Sequence, residues 1–191
     1  MTPQAESKLK RIDSGFYVEG YATTYEPYIL CHDSNGEPIY EQILRSAFNN
    51  TDMSDVIFQF DHRGKVYARQ SNGTLIVEPD EHGLFTAADL SKTTSSKQMY
   101  EEIDTELVTR MSWSFLPDYN TLEYNKETRT IIHHNIIKIF DVSAVSIPQN
   151  DATEISSRTL VDGEIEKVKQ ELLHRERRKA EILLKIKLGE I

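Results

Sequence analysis

The stretch "RMSWSFL", Arg110–Leu116, alternates bulky apolar residues with two serines. A period of two is the mark of a strand, and the apolar half of this one is bulky enough to be buried. Serine suits such a surface less well than threonine or valine. Each serine is then either a small, satisfied residue or a nucleophile held on a rigid element. Ser112 and Ser114 are two apart, so they share one side of the strand.

Working outward, the chain on both sides is mostly β. "GFYVEGYATTY" (Gly15–Tyr25) alternates, and "DVIFQF" (Asp55–Phe60) is a short apolar strand running into "DHRG", where a glycine permits a tight turn. "HDSNGEP" is a polar turn, and "YEQILRSAF" (Tyr40–Phe48) has helical spacing in Ile43, Leu44 and Phe48. "GTLIVEPDEHGLFTAADL" reads as two strands around "EPDEHG". "SSKQMYEEIDTELVTR" opens on serines that could cap a helix and spaces Met99, Ile103 and Leu107 four apart, as one helix face requires. A polar hairpin region after Leu116 leads to "RTIIHHNIIKIFDVSAVSIP", read as one or two strands.

Composition bounds the function. The 191 residues suffice for one domain and an appendage. No apolar run is long enough to span a bilayer, and "MTPQAESKLKR" lacks the apolar core of a signal peptide, so an intracellular protein with no membrane role is expected. One cysteine, Cys31, excludes an internal disulfide and a cysteine-rich zinc site. A formal net charge of −9 argues against a sequence-independent grip on nucleic acid. From Leu160 onward eight basic residues nearly balance seven acidic ones, so the body carries the acidic excess. The expected organisation is an N-terminus of residues 1–14 with no fixed fold, a domain over 15–152, and a linker with a charged amphipathic C-terminal helix over 153–191. In that helix Asp162 would be the cap. Ile165, Val168, Leu172, Ile182 and Ile186 would form an apolar seam, interrupted by "HRERRK", which reads as the stripe of a solvated helix or as a surface for a partner.

Six histidines offer chemistry. His82 lies in a turn. His133 and His134 are adjacent on a strand and point to opposite faces, so they cannot share a metal. No metal-binding spacing is present and no cofactor is expected. Cys31–His32 sits in a loop context that favours a solvated pair. His62 follows the apolar strand and its turn, which puts an imidazole on a rigid strand end. It reads as a hydrogen-bonded structural residue or as a base. Asp141 interrupts an otherwise buried stretch, and a buried carboxylate costs several kcal/mol unless it is paired. A histidine ring N–H would serve as the partner. Hydroxyl, imidazole and carboxylate are together what acyl transfer needs. No Gly-x-Ser-x-Gly elbow is present, so an α/β-hydrolase is not supported.

In order, "GYATTY" with "EQILRSAF", "FQFDHRG", "EHGLF" with a helix and "RMSWSF", and "RTIIHHNIIKIFDVSAVSIPQN" resemble the tailed-phage prohead proteases. These are capsid-maturation serine proteases related to herpesvirus assemblin. The resemblance runs from about Gly15 to about Asn150. It implies an α+β single domain around a mostly antiparallel β-barrel, closed or nearly so and flanked by helices. It places the nucleophile at Ser112, which directly follows Met111, the base at His62, and the third member at Asp141. Ser114 stands where the family often has glycine, and Gln149 where it usually has alanine. On that reading Ser112 and Ser114 floor a substrate groove while Trp113 and Phe115 point into the core. The implied activity is limited endopeptidase cleavage inside the assembling prohead, in the host cytoplasm. The implied partners are capsid protein or scaffold as substrates and often the protease itself, with self-association left open. The tail would then target scaffold or capsid protein. The competing expectations are a non-catalytic, scaffold-like assembly protein that keeps the fold, and a small-molecule hydrolase using the same triad.

Overall fold

Period-two stretches become strands throughout the body. The computed structural model describes residues 12–33, 35–147, 177–178 and 180–189. In chain order these form β1 (Tyr17–Thr24), β2 (Tyr28–His32), β3 (Pro38–Ile43), β4 (Ile57–Phe60), β5 (Arg63–Arg69), β6 (Leu75–Pro79) and β7 (Gly83–Asp89). Then follow α1 (Thr94–Asp104), β8 (Arg110–Pro117), β9 (Leu122–Asn125), β10 (Thr130–His133) and β11 (Ile136–Val145). The arrangement is α+β and mostly sheet.

The strands form three sheets, ordered β1-β7-β6, β2-β3-β10-β9 and β5-β4-β11-β8. Pairing is antiparallel except for β3 with β10 and β4 with β11. The closed barrel implied by the family resemblance does not form among the described residues. Closure needs both edges of every strand in a ladder, and here each sheet ends on two unpaired edges. Strand β8 runs near β1 but pairs only with β11. Strand β1 pairs only with β7, through a register shift between Tyr21 and Thr24. At that shift a Cβ on Gly83 would meet the Thr23 carbonyl oxygen at 2.1 Å, so the close approach requires glycine.

The third sheet carries both core and candidate site. One face presents Phe58, Met111, Trp113, Val142 and Ala144 to the main apolar cluster, all of them buried. The opposite face presents Ser112, Asp141 and Ser143.

Three local expectations are corrected, and one strand appears where the sequence reading assigned none. Tyr40–Ile43 belongs to β3, and only Arg45–Phe48 turns, as a short 3-10 helix. Ile39, Glu41 and Ile43 alternate inward there, a strand pattern that the helical spacing of Ile43, Leu44 and Phe48 masked. Helix α1 starts at Thr93, whose Oγ1 accepts from the Ser96 N–H at 3.0 Å, so a threonine and not a serine is the cap. It buries Met99 and Ile103 but ends before Leu107, which is 69 % exposed. Arg63–Arg69, unassigned from sequence, forms β5.

Asp162, Ile165, Val168 and Leu172 of the expected tail helix, together with Gln149, lie outside the described residues. Residues 177–178 and 180–188 are helical. The described part of the expected seam, Ile182 and Ile186, packs on the chain's own sheet. Ile182 is 1 % exposed and joins Leu30, Ile39, Leu122 and Ile131 in a second apolar cluster, flanked by Leu183 and Ile186. Burying one such side chain is worth about 1.5–3 kcal/mol.

Candidate active site

Strands β4 and β5 are joined by a two-residue turn, Asp61–His62, with Phe60 opposite Arg63. Both turn residues have positive φ, 44° and 60°. That is the backbone a tight hairpin demands, and Asp and His enter it more readily than most residues. The turn is therefore made by Asp61 and His62 themselves; Gly64, also at positive φ, already lies in β5.

Four hydrogen bonds pin this turn to β11 and to Ser146 just past its end. The Asp61 N–H donates to the Ala144 carbonyl at 2.9 Å. The Asp61 carboxylate accepts from the Ser146 N–H at 2.8 Å and from its hydroxyl at 2.9 Å. The His62 N–H donates to Ser143 Oγ at 3.3 Å. Left-handed backbone costs roughly 1–2 kcal/mol per residue outside glycine, and these bonds offset it.

So anchored, the His62 ring meets Asp141. Nδ1 lies 2.7 Å from Asp141 Oδ1, with the two side chains 3 % and 7 % exposed. The same oxygen accepts from Ser143 Oγ at 2.7 Å. A carboxylate only accepts, so the Nδ1 proton belongs to the pair and Nε2 of the neutral ring is left as an acceptor. Nε2 is buried and has no hydrogen-bond partner. Buried polar atoms rarely go unmatched, and a catalytic role is one of the explanations for such an atom. Thr24 Oγ1, Thr86 Oγ1, His133 Nδ1 and Arg178 Nε are unmatched as well, and what distinguishes Nε2 is the Asp141 pairing of its own ring.

His62 and Asp141, 79 residues apart in sequence, are thus joined directly. Ser112 is not hydrogen-bonded to His62. It lies on β8 directly opposite Ser143 of β11, 8 % exposed, while Ser114 lies opposite Asp141. Directly opposed residues in an antiparallel pair share a face with Cβ atoms about 4.5–5.5 Å apart. Ser112 is therefore one cross-strand step from the serine that holds Asp141.

Ser143 was missed by reading the sequence. The signal was present: "DVS" puts a hydroxyl two residues from the buried carboxylate, on the same face. His133, which points inward, pairs with Glu41, while His134 is exposed and meets Glu123. Among the described residues no group of three or more His, Cys, Asp or Glu could hold a metal ion. Nor is any described helix long and apolar enough to cross a membrane.

No curated protein and no solved structure matches the chain. One family does, described as caudovirus prohead serine protease, and the match covers residues 5–171. It takes in every strand that carries the His62–Asp141 pair and the serines opposite it. The chain belongs to the caudovirus prohead serine protease family.

Proposed function

We propose that the chain is the serine endopeptidase of capsid maturation, with Ser112 as nucleophile, His62 as general base and Asp141 as the group that orients His62. The observation that carries this is the buried Nδ1–carboxylate contact at 2.7 Å with Nε2 unpartnered, on the sheet face that Ser112 shares. Nε2 takes the Ser112 proton as Oγ attacks the scissile carbonyl. The imidazolium, stabilised by Asp141, then gives that proton to the leaving amine, and an acyl ester remains on Oγ. Water repeats the sequence in reverse roles and frees the carboxylate product. The substrates in this reading are scaffold or a scaffold-like segment of the capsid protein, and the protease itself, inside the prohead in the host cell. Confinement with substrate would supply concentration that affinity need not.

The test is covalent labelling with a fluorophosphonate probe together with self-processing followed by mass spectrometry. The expected result is one adduct, on Ser112, and shortening of the chain over days. Ser112→Ala should stay folded and lose at least about 10³-fold in rate, because triad members act as a unit. Ser114→Ala should keep most activity. An adduct on Ser114 with Ser112→Ala still active would overturn the assignment. A folded chain that neither labels nor processes would be a non-catalytic assembly factor.

A further inference from the structure

A second buried polar cluster lies outside the His62–Asp141 site. Glu41 of β3 and His133 of β10 are 2 % and 0 % exposed. His133 Nε2 lies 2.8 Å from Glu41 Oε1, the Tyr28 hydroxyl donates to Oε2, and Arg178 Nη2 donates to Oε1 at 2.9 Å. Arg178 comes from the tail helix. Its guanidinium lies 4.4 Å above the Phe115 ring. Phe115 in turn stacks on Trp113 at 4.1 Å and meets His133 edge-on at 5.4 Å, and Trp113 packs on Phe48 at 5.6 Å. A flat guanidinium can stack and donate at once, which an ammonium cannot.

Trp113 and Phe115 flank Ser114 on β8, and Trp113 directly follows Ser112. Strand β8 is an edge, with a ladder on one side only. That ladder is in unbroken register from Arg110 to Ser114, Ser112 included, but shifts between Ile139 and Asp141 and between Ile136 and Lys138, opposite Ser114–Pro117. A slip of one residue would turn Ser112 to the core face. The irregular end of the strand, from Ser114 on, has fewer regular ladder pairs to hold it, and the aromatic column Phe48–Trp113–Phe115 capped by Arg178 packs along that end.

We propose that the tail helix is a positioning element for strand β8: seated through Arg178 and Ile182, it clamps Phe115 and Trp113 and so sets the placement of Ser112. The functional consequence rests on the proposed role of Ser112. The clamp itself does not. The tail acts on its own domain, and Arg178 is a positioning residue that touches no reacting atom.

The test uses the full chain as wild type, Arg178→Lys, Arg178→Ala and Ile182→Asp. Trp113 is the only tryptophan, so intrinsic fluorescence reports on β8 directly. Amide hydrogen exchange compares β8 with the β1-β7-β6 sheet as an internal control for folding. The rate of fluorophosphonate labelling is split into its saturating value and its half-saturating concentration. In Arg178→Ala and Ile182→Asp, Trp113 emission should shift and β8 amides should exchange faster, with β1-β7-β6 unchanged. The saturating rate should fall about ten- to a hundredfold, the range expected for small misplacements of a reacting group, with half-saturation nearly constant. Arg178→Lys, keeping charge but not the flat stack, should fall between. If Ile182→Asp loses protection at 180–188 while Trp113 emission and β8 exchange match wild type, the clamp is wrong. If β8 responds but labelling does not, its link to Ser112 is wrong. A wild-type chain that never labels would sink the proposed function, while fluorescence and exchange would still decide the clamp.

Discussion

At the scale of single residues, one oxygen carries most of the arrangement. Asp141 Oδ1 accepts from both the His62 ring and Ser143. Asp141→Asn keeps the shape but offers an amide that can turn its NH2 toward Nδ1 and favour the wrong tautomer. Labelling of Ser112 should fall by about two orders of magnitude or more, with the melting temperature little changed. Wild-type labelling would remove Asp141 from the proposed mechanism. Ser143→Ala takes one donor from Asp141 and the acceptor from the His62 N–H. Unpairing a buried group costs roughly 1–3 kcal/mol, so denaturant midpoints should drop. Its labelling rate should also fall, with half-saturation unchanged; a stability loss with no change in rate would make Ser143 purely structural. The residue scale was partly legible in the sequence. Asp141 stood out because a charge in an apolar strand requires a partner, and His62 because it closes a strand. Ser143 did not stand out, because a serine in a strand costs little and advertises nothing.

At the scale of elements, the Asp61–His62 turn decides where the His62 ring sits. Its sequence signal was weak, since the usual hairpin pair contains glycine or asparagine and this one is held instead by β11 and Ser146 after it. Asp61→Ala would keep a left-handed residue without the side chain that binds Ser146. It should cost about 1–3 kcal/mol, the sum of greater backbone strain and lost hydrogen bonds. Chemical denaturation measures the loss, and an unchanged midpoint would show that the turn holds itself. Elements were most legible where alternation was plain, as in β1 and β8, or where a polar turn set off two strands, as between β6 and the fully buried β7. They were least so in β3, where inward Ile43 is followed by Leu44 and Phe48 at helix-like spacing. Strand β5 hid for a different reason: "RGKVYAR" buries only Ala68 and so shows no apolar face.

At the scale of the molecule, the sheets carry two apolar clusters, and the second is completed by a segment far along the chain. No local pattern reveals that, because an amphipathic helix looks the same whether its seam meets a partner or its own sheet. The Glu41 cluster gives the long-range contact an observable signature. Burial acts to raise the Glu41 carboxyl, but Arg178, His133 and Tyr28 outweigh it and hold the group at about 2, below its usual 4.5. A carboxyl depressed on folding stabilises the native state above its unfolded value and loses that contribution as pH falls toward the folded one. The window for Glu41 is therefore from about 4.5 down to about 2. Other carboxyls held low by their partners, such as Asp55 beside Arg69, add to acid sensitivity in wild type. Glu41→Gln isolates the cluster: it keeps an acceptor for Arg178 and removes the charge. Its stability should be lower than wild type near neutrality, and the difference should shrink through that window as the wild-type carboxylate takes up its proton. Denaturant melts at neutral pH, near 4.5 and near 2 would follow the convergence. Parallel curves would mean that Glu41 is not charged in the folded chain, and that Arg178 is held by the aromatic column rather than by an ion pair.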